Sequence, residues 1–71
     1  MDTCLETILL NGMSVDYKNK LFITPYIRSG VIKKKGYQVI CEKKGLEFNC
    51  LYYPTELSVA IDKFILLKNK L

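Results

Sequence analysis

The chain contains no histidine, the residue from which a small enzyme working near neutral pH commonly takes its acid, its base or a metal ligand. What remains for chemistry is three cysteines, seven carboxylates and five tyrosines, and none falls into the spacing of a nucleophile with its base. Asp2, Glu6, Asp16, Glu42, Glu47, Glu56 and Asp62 stand singly along the chain, as solvated surface acids do. Cys4, Cys41 and Cys50 are an odd set with no CxxC pair and no histidine to complete a zinc site. The expectation is a protein with no catalytic residues, no metal and no cofactor, its cysteines acting as small core residues. Long apolar runs are also lacking. None approaches the roughly 20 residues of a membrane-spanning helix, and the opening segment carries Asp2 and Glu6 where a secretory leader would be positive. There is no repeat, no low-complexity tract and no Pro/Gly/Ser-rich linker. These absences predict one soluble, cytoplasmic domain over residues 1–71, away from membranes.

What is present suits a folded domain. Apolar residues make up 49% of the chain and charged residues 25%, too apolar for a disordered tail. At 71 residues a single core is all it can build, with little stability to spare. Thr3, Cys4, Leu5 and Glu6 form a capping box, and Leu5, Ile8 and Leu9 follow at helical spacing up to Asn11-Gly12. The same Asn-Gly pair would also serve as a hairpin turn between Thr7–Leu10 and Met13–Asp16; the short helix is the favoured reading. Tyr17–Lys20 is polar and turn-like, and Leu21–Arg28 has the composition of a strand. Pro25 places that strand at a sheet edge or bends it. Ser29-Gly30 reads as a turn, with Val31–Lys33 pairing back.

The clearest unit is a hairpin of Tyr37–Glu42 and Leu46–Tyr53 around Lys43, Lys44 and Gly45. A loop of two or four residues puts Tyr37, Val39 and Cys41 on one face with Leu46, Phe48, Cys50 and Tyr52. Cys41 then lies opposite Phe48 or Leu46, which disfavours a Cys41–Cys50 disulfide. Pro54-Thr55 ends the strand, with Thr55 as the cap of a helix over Glu56–Asn69 whose stripe is Leu57, Ala60, Ile61, Phe64, Ile65 and Leu67. The predicted fold class is α+β: a three-stranded antiparallel sheet (Leu21–Arg28, Tyr37–Glu42, Leu46–Tyr53) packed by a C-terminal helix (Glu56–Asn69), with a short N-terminal helix or strand.

Two surpluses bear on function. From Tyr17 to Gly45 eight basic residues stand against one acid, inside an overall net charge of +4. Such asymmetry draws a polyanion and predicts DNA or RNA binding through Arg28, Lys33, Lys34, Lys35, Lys43 and Lys44, with Tyr26 or Tyr37 stacking. Because Arg28 is the only arginine, contact would be led by the phosphate backbone and weakly sequence-specific. The second surplus is apolar: Ile40, Leu51 and Tyr53 on the hairpin's other face, among Gln38, Glu42, Glu47 and Asn49, and Val59 and Leu66 flanking the helix stripe. The N-terminal segment, through Leu5, Ile8 and Leu9, is expected to cover it. Left uncovered, Ile40, Leu51 and Tyr53 would instead anchor an acidic partner protein or a second copy of the chain, as in a protein-binding regulator or inhibitor of phage or mobile-element type.

The stretch GYQVICEKKGLEFNCLYYPTELSVAIDKF, Gly36–Phe64, resembles the AP2 and integrase N-terminal DNA-binding domains in its order of strand, basic Gly-containing turn, strand and capped helix, with Ala60 where a small helix residue meets the sheet. The resemblance implies a sheet that enters the major groove through strand side chains. The chain departs from the family at Gln38, Ile40 and Glu42, which are not basic, and at Tyr52-Tyr53-Pro54, which replaces Gly-x-Phe. It covers under half of the chain, and the layout alone serves many functions.

Overall fold

The computed structural model describes residues 3–28 and 34–71, with the side chains of Thr3, Cys4, Arg28 and Lys34 outside that description. The turn expected at Ser29-Gly30 and the pairing of Val31–Lys33 also lie outside it. The chain runs α1 (Thr3–Leu10), β1 (Val15–Tyr17), β2 (Leu21–Arg28), β3 (Lys34–Cys41), β4 (Phe48–Tyr52), one 3-10 turn (Pro54–Glu56) and α2 (Leu57–Lys68). The strands form one antiparallel meander in the order β1-β2-β3-β4. The fold is therefore α+β with a C-terminal helix as expected, but the sheet has four strands and not three.

The extra strand comes from Val15–Tyr17, a segment too short and too polar to carry a β pattern of its own. It pairs Val15 with Ile23 and Tyr17 with Leu21. A tight turn makes this possible: Lys18 and Asn19 both adopt left-handed conformations, at φ 56° and 59°. The Lys20 N–H closes the turn on the Tyr17 carbonyl at 3.2 Å, and the Asn19 N–H donates to the Asp16 carboxylate at 2.9 Å. Two successive left-handed residues match the twist of a hairpin, and asparagine tolerates that region better than most side chains. β1 also resolves the placement of Pro25. β2 is internal over Leu21–Ile23, but its β1 partner stops there, so Pro25 sits where the strand is paired on one side only and a missing N–H is tolerated.

At the N-terminus the helix forms and the competing hairpin does not. Gly12, at φ 81°, ends α1 in a Schellman motif: its N–H donates to the Leu9 carbonyl at 3.0 Å, and the Met13 N–H to that of Ile8 at 3.1 Å. Thr3 is already helical and so is not the residue before the helix, where the capping box had put it. At α2 the cap is also displaced. Glu56, not Thr55, holds the entry, its carboxylate accepting the Tyr53 N–H at 2.9 Å while its own N–H donates to the Tyr53 carbonyl at 2.8 Å.

The core lies between the sheet and both helices. Odd-numbered Leu21, Ile23, Val39 and Cys41 point inward and meet Leu5 and Leu9 of α1 and Ala60, Ile61, Phe64 and Leu67 of α2. Each fully buried Leu, Ile or Phe contributes about 1.5–3 kcal/mol. Because α1 packs beside α2 and against β1, it leaves the sheet's outer face open. The expectation that the N-terminal segment covers that face is thus overturned. Its Leu5 and Leu9 are used on the inner side instead. The β3–β4 register pairs Cys41 with Phe48 and Cys50 with Val39, the Phe48 alternative of the two even registers. Both thiols are free, Cys41 buried and Cys50 half-buried.

Gly36 is required by packing. A Cβ built there would stand 2.2 Å from the Tyr52 carbonyl oxygen, because the chain leaving β4 presses against β3 on its way to α2. Among the described residues no helix is long and apolar enough to cross a membrane.

Candidate nucleic-acid interface

The register divides the basic residues between two ends of the sheet. β2 and β3 are paired from Leu21↔Cys41 to Arg28↔Lys34, seven steps or about 23 Å at strand spacing. Arg28, Lys34 and the exposed Lys35 belong to one end, and Lys33 lies outside the described residues. Lys43 and Lys44, both exposed, sit in the β3–β4 turn at the other end. The described members of the expected set are therefore divided between the two ends of the sheet.

The end that holds Lys43 and Lys44 is richer than the sequence suggested. The β1–β2 turn brings Lys18 and Lys20 to it, and the two turns are tied by a 2.7 Å bond from the Glu42 N–H to the Lys20 carbonyl. α2 runs back toward the same end. The Lys63 ammonium lies 4.7 Å from the centre of the Phe48 ring, and those of Lys18 and Lys68 each lie 5.3 Å from that of Tyr17. A cation over a ring face is held by the ring quadrupole, so Tyr17 and Phe48 fix three ammonium groups in a region that also holds Lys20, Lys43 and Lys44. Of the carboxylates nearby, Asp16 accepts a turn N–H as above, and Glu47 accepts the Gly45 N–H at 2.9 Å. Lys18, Lys20, Lys63 and Lys68 were missed as members of this cluster. The signal that could have placed Lys18 and Lys20 is the left-handed turn at Lys18-Asn19, which folds β1 back onto β2, whereas Lys63 and Lys68 arrive through the direction of α2.

The outer sheet face carries the alternate residues Phe22, Thr24 and Tyr26 of β2, Gln38 and Ile40 of β3, and Asn49 and Leu51 of β4. Of the three apolar anchors expected there, Ile40 is half-buried beside Phe22, while Leu51 is 55% exposed. The Gln38 amide donates to the Asn49 amide oxygen at 2.9 Å, a polar bridge on the diagonal that crosses the one from Ile40 to Leu51. Tyr53, 74% exposed, lies one residue past the end of β4. These anchors form a broken surface. Phe22, the missed residue, is the direct neighbour of Ile40 and faces outward because Leu21 and Ile23 face inward. Tyr26 stands on the outer face opposite Gly36, which has no side chain, whereas Tyr37 is on the inner face. Tyr52, also inner, has its phenol held above the ordinary value of 10.0, by burial first and then by the adjoining Cys50 thiol and the Glu56 carboxylate.

At the end that carries Lys35, a cleft of about 220 Å³ opens between Leu9, Leu10 and Gly12 of the α1 terminus and Pro25, Ile27, Lys35 and Tyr37. Its lining is largely apolar, with Lys35 and the phenols of Tyr26 and Tyr37 as its polar groups. Among the described residues no cluster of three or more Cys, Asp or Glu is placed to hold a metal ion. Comparison with protein-family models, with curated proteins and with solved structures finds no match for this chain, so the likeness to AP2 and integrase N-terminal domains rests on element order alone.

Proposed function

We propose that this chain is a non-catalytic binding protein that holds DNA or RNA by its phosphate backbone. The observation that carries the reading is the gathering of lysines from three elements, Lys18 and Lys20, Lys43 and Lys44, and Lys63 and Lys68, at one end of the sheet. Ammonium groups so placed neutralise successive phosphates and release their counterions. Lysine is a flexible point charge without arginine's planar fork, so the contact is weakly sequence-specific. Fluorescence anisotropy with a labelled oligonucleotide over a salt series tests it. Affinity should fall linearly on a log-log plot with a slope of roughly −3 to −5 if four to six phosphates are neutralised. Reversing Lys43→Glu and Lys44→Glu should weaken binding and make the slope shallower by about 2. Binding that ignores salt, or no binding to any nucleic acid, overturns the proposal.

A second reading has its own support. β4 is an edge strand with Leu51 and Tyr53 exposed, which suits docking of an acidic protein or of a second copy of this chain. Polar replacement of Ile40, Leu51 and Tyr53 would abolish such a complex without unfolding the monomer.

A further inference from the structure

The ends of the sheet that carry Lys43/Lys44 and Lys35 are separated by a face that no described helix covers, and that face bears rings. Building on the nucleic-acid reading, we propose that the preferred ligand is single-stranded nucleic acid lying along β2 and β3 across the outer face, its bases stacked on Phe22 and Tyr26. The charge arrangement selects this path. A polyanion that reaches both the Lys43/Lys44 end and the end that holds Lys35 must cross about 23 Å of sheet, and the outer face is free of described helices, because α1 and α2 occupy the inner one. On that route Phe22 and Tyr26 are on the same side of β2, four residues apart, and Tyr26 has no cross-strand side chain beside it because Gly36 is its partner. Thr24, Gln38 and Asn49 supply hydroxyl and amide groups between and beside the rings. Rings interleaved with amides and flanked by lysines suit unpaired bases, each with a π-face and hydrogen-bonding edges. The polar bridge of Gln38 and Asn49 breaks the apolar continuity that a protein-docking surface would use at its centre. A duplex cannot offer its base faces, so it would engage the lysine ends alone.

The test compares a single strand with a duplex of equal length, for the wild-type chain and for Phe22→Leu and Tyr26→Leu, which keep apolar bulk and remove the ring. The wild type should bind the single strand more tightly than the duplex. Each leucine variant should lose roughly 5- to 100-fold for the single strand and keep its duplex affinity and urea midpoint. Oligothymidylates should also bind markedly more weakly below about seven nucleotides, the length that spans the two ends at stacked spacing. If both variants bind the single strand as the wild type does, while Lys43→Glu with Lys44→Glu still weakens binding, stacking is overturned and the lysine reading stands. Failure of the wild type to bind any nucleic acid overturns both. A wild type that self-associates in light scattering and becomes monomeric in the leucine variants assigns the face to a second copy and also overturns the stacking path.

Discussion

Replacing Gly36 by alanine should damage this fold more than any other single-methyl addition to one of its described glycines. The new Cβ would stand 2.2 Å from the Tyr52 carbonyl oxygen, about 1 Å inside ordinary contact. The obstacle is backbone, so no side-chain rotation relieves it. Either β3 retreats from the chain that leaves β4, or the Tyr53–Pro54 entry to α2 shifts and loosens the Glu56 bond to the Tyr53 N–H. Forced shifts of this kind cost about 1–3 kcal/mol. Alanine's smaller unfolded-state entropy returns about 0.4–1 kcal/mol, leaving a net loss of about 1.3 kcal/mol at the middle of these ranges. For a domain of this size that lowers the melting temperature by roughly 5–10 °C. Thermal unfolding followed by circular dichroism measures it. Gly12→Ala is the control of a different kind. Gly12 has open space around it but a φ of 81°, so the left-handed conformation alone costs it about 1–2 kcal/mol, which the same entropy return cuts to about 0.8 kcal/mol. A Gly36→Ala protein that melts within a degree or two of the wild type would refute the close approach of β4 to β3, and with it the path by which α2 reaches the inner face.

Further outcomes follow from the core and from titration. Phe64→Ala should lose about 3–5 kcal/mol, because Phe64 is 2% exposed at the centre of the α2 stripe; a urea titration reads this directly. With a thiol reagent under native conditions Cys50 should react well before Cys41, since one is half-buried and the other buried, and equal rates would place Cys41 outside the core. The Tyr52 phenol titrates higher in the folded chain than in the unfolded one. The folded state thus keeps its proton where the unfolded state has begun to lose it, and stability should fall as pH rises through about 10. Tyr52→Phe should make that alkaline decline shallower, and an unchanged decline would show that Tyr52 does not contribute to it.

The inner layer was legible from sequence because its signals are local and periodic. Leu57, Ala60, Ile61, Phe64, Ile65 and Leu67 repeat at helical spacing, and the alternation through Tyr37–Cys41 and Phe48–Tyr52 left only even registers, one of which is observed. Chain order and residue spacing were enough to commit Phe64 and Val39 to the core. β1 was not legible, since a three-residue strand has too few positions to show a period and its pairing depends on two left-handed residues at Lys18 and Asn19. The candidate site suffered more. Along the chain Lys33–Lys35 and Lys43-Lys44 look like one basic region, but Lys34 and Lys35 open the eight-residue β3 while Lys43 and Lys44 follow its far end, which places these at opposite ends of the sheet.

The sequence by itself determined the absence of histidine, the positive balance, the free thiols' distance from a zinc pattern and the amphipathic α2, all of which are properties of composition or of spacing along one element. Tertiary structure alone decided which lysines share a surface, because that depends on strand direction and on α2 running back toward the turns. It also decided that neither helix covers the outer face, because only the packing of α1 beside α2 shows that both lie on the inner side.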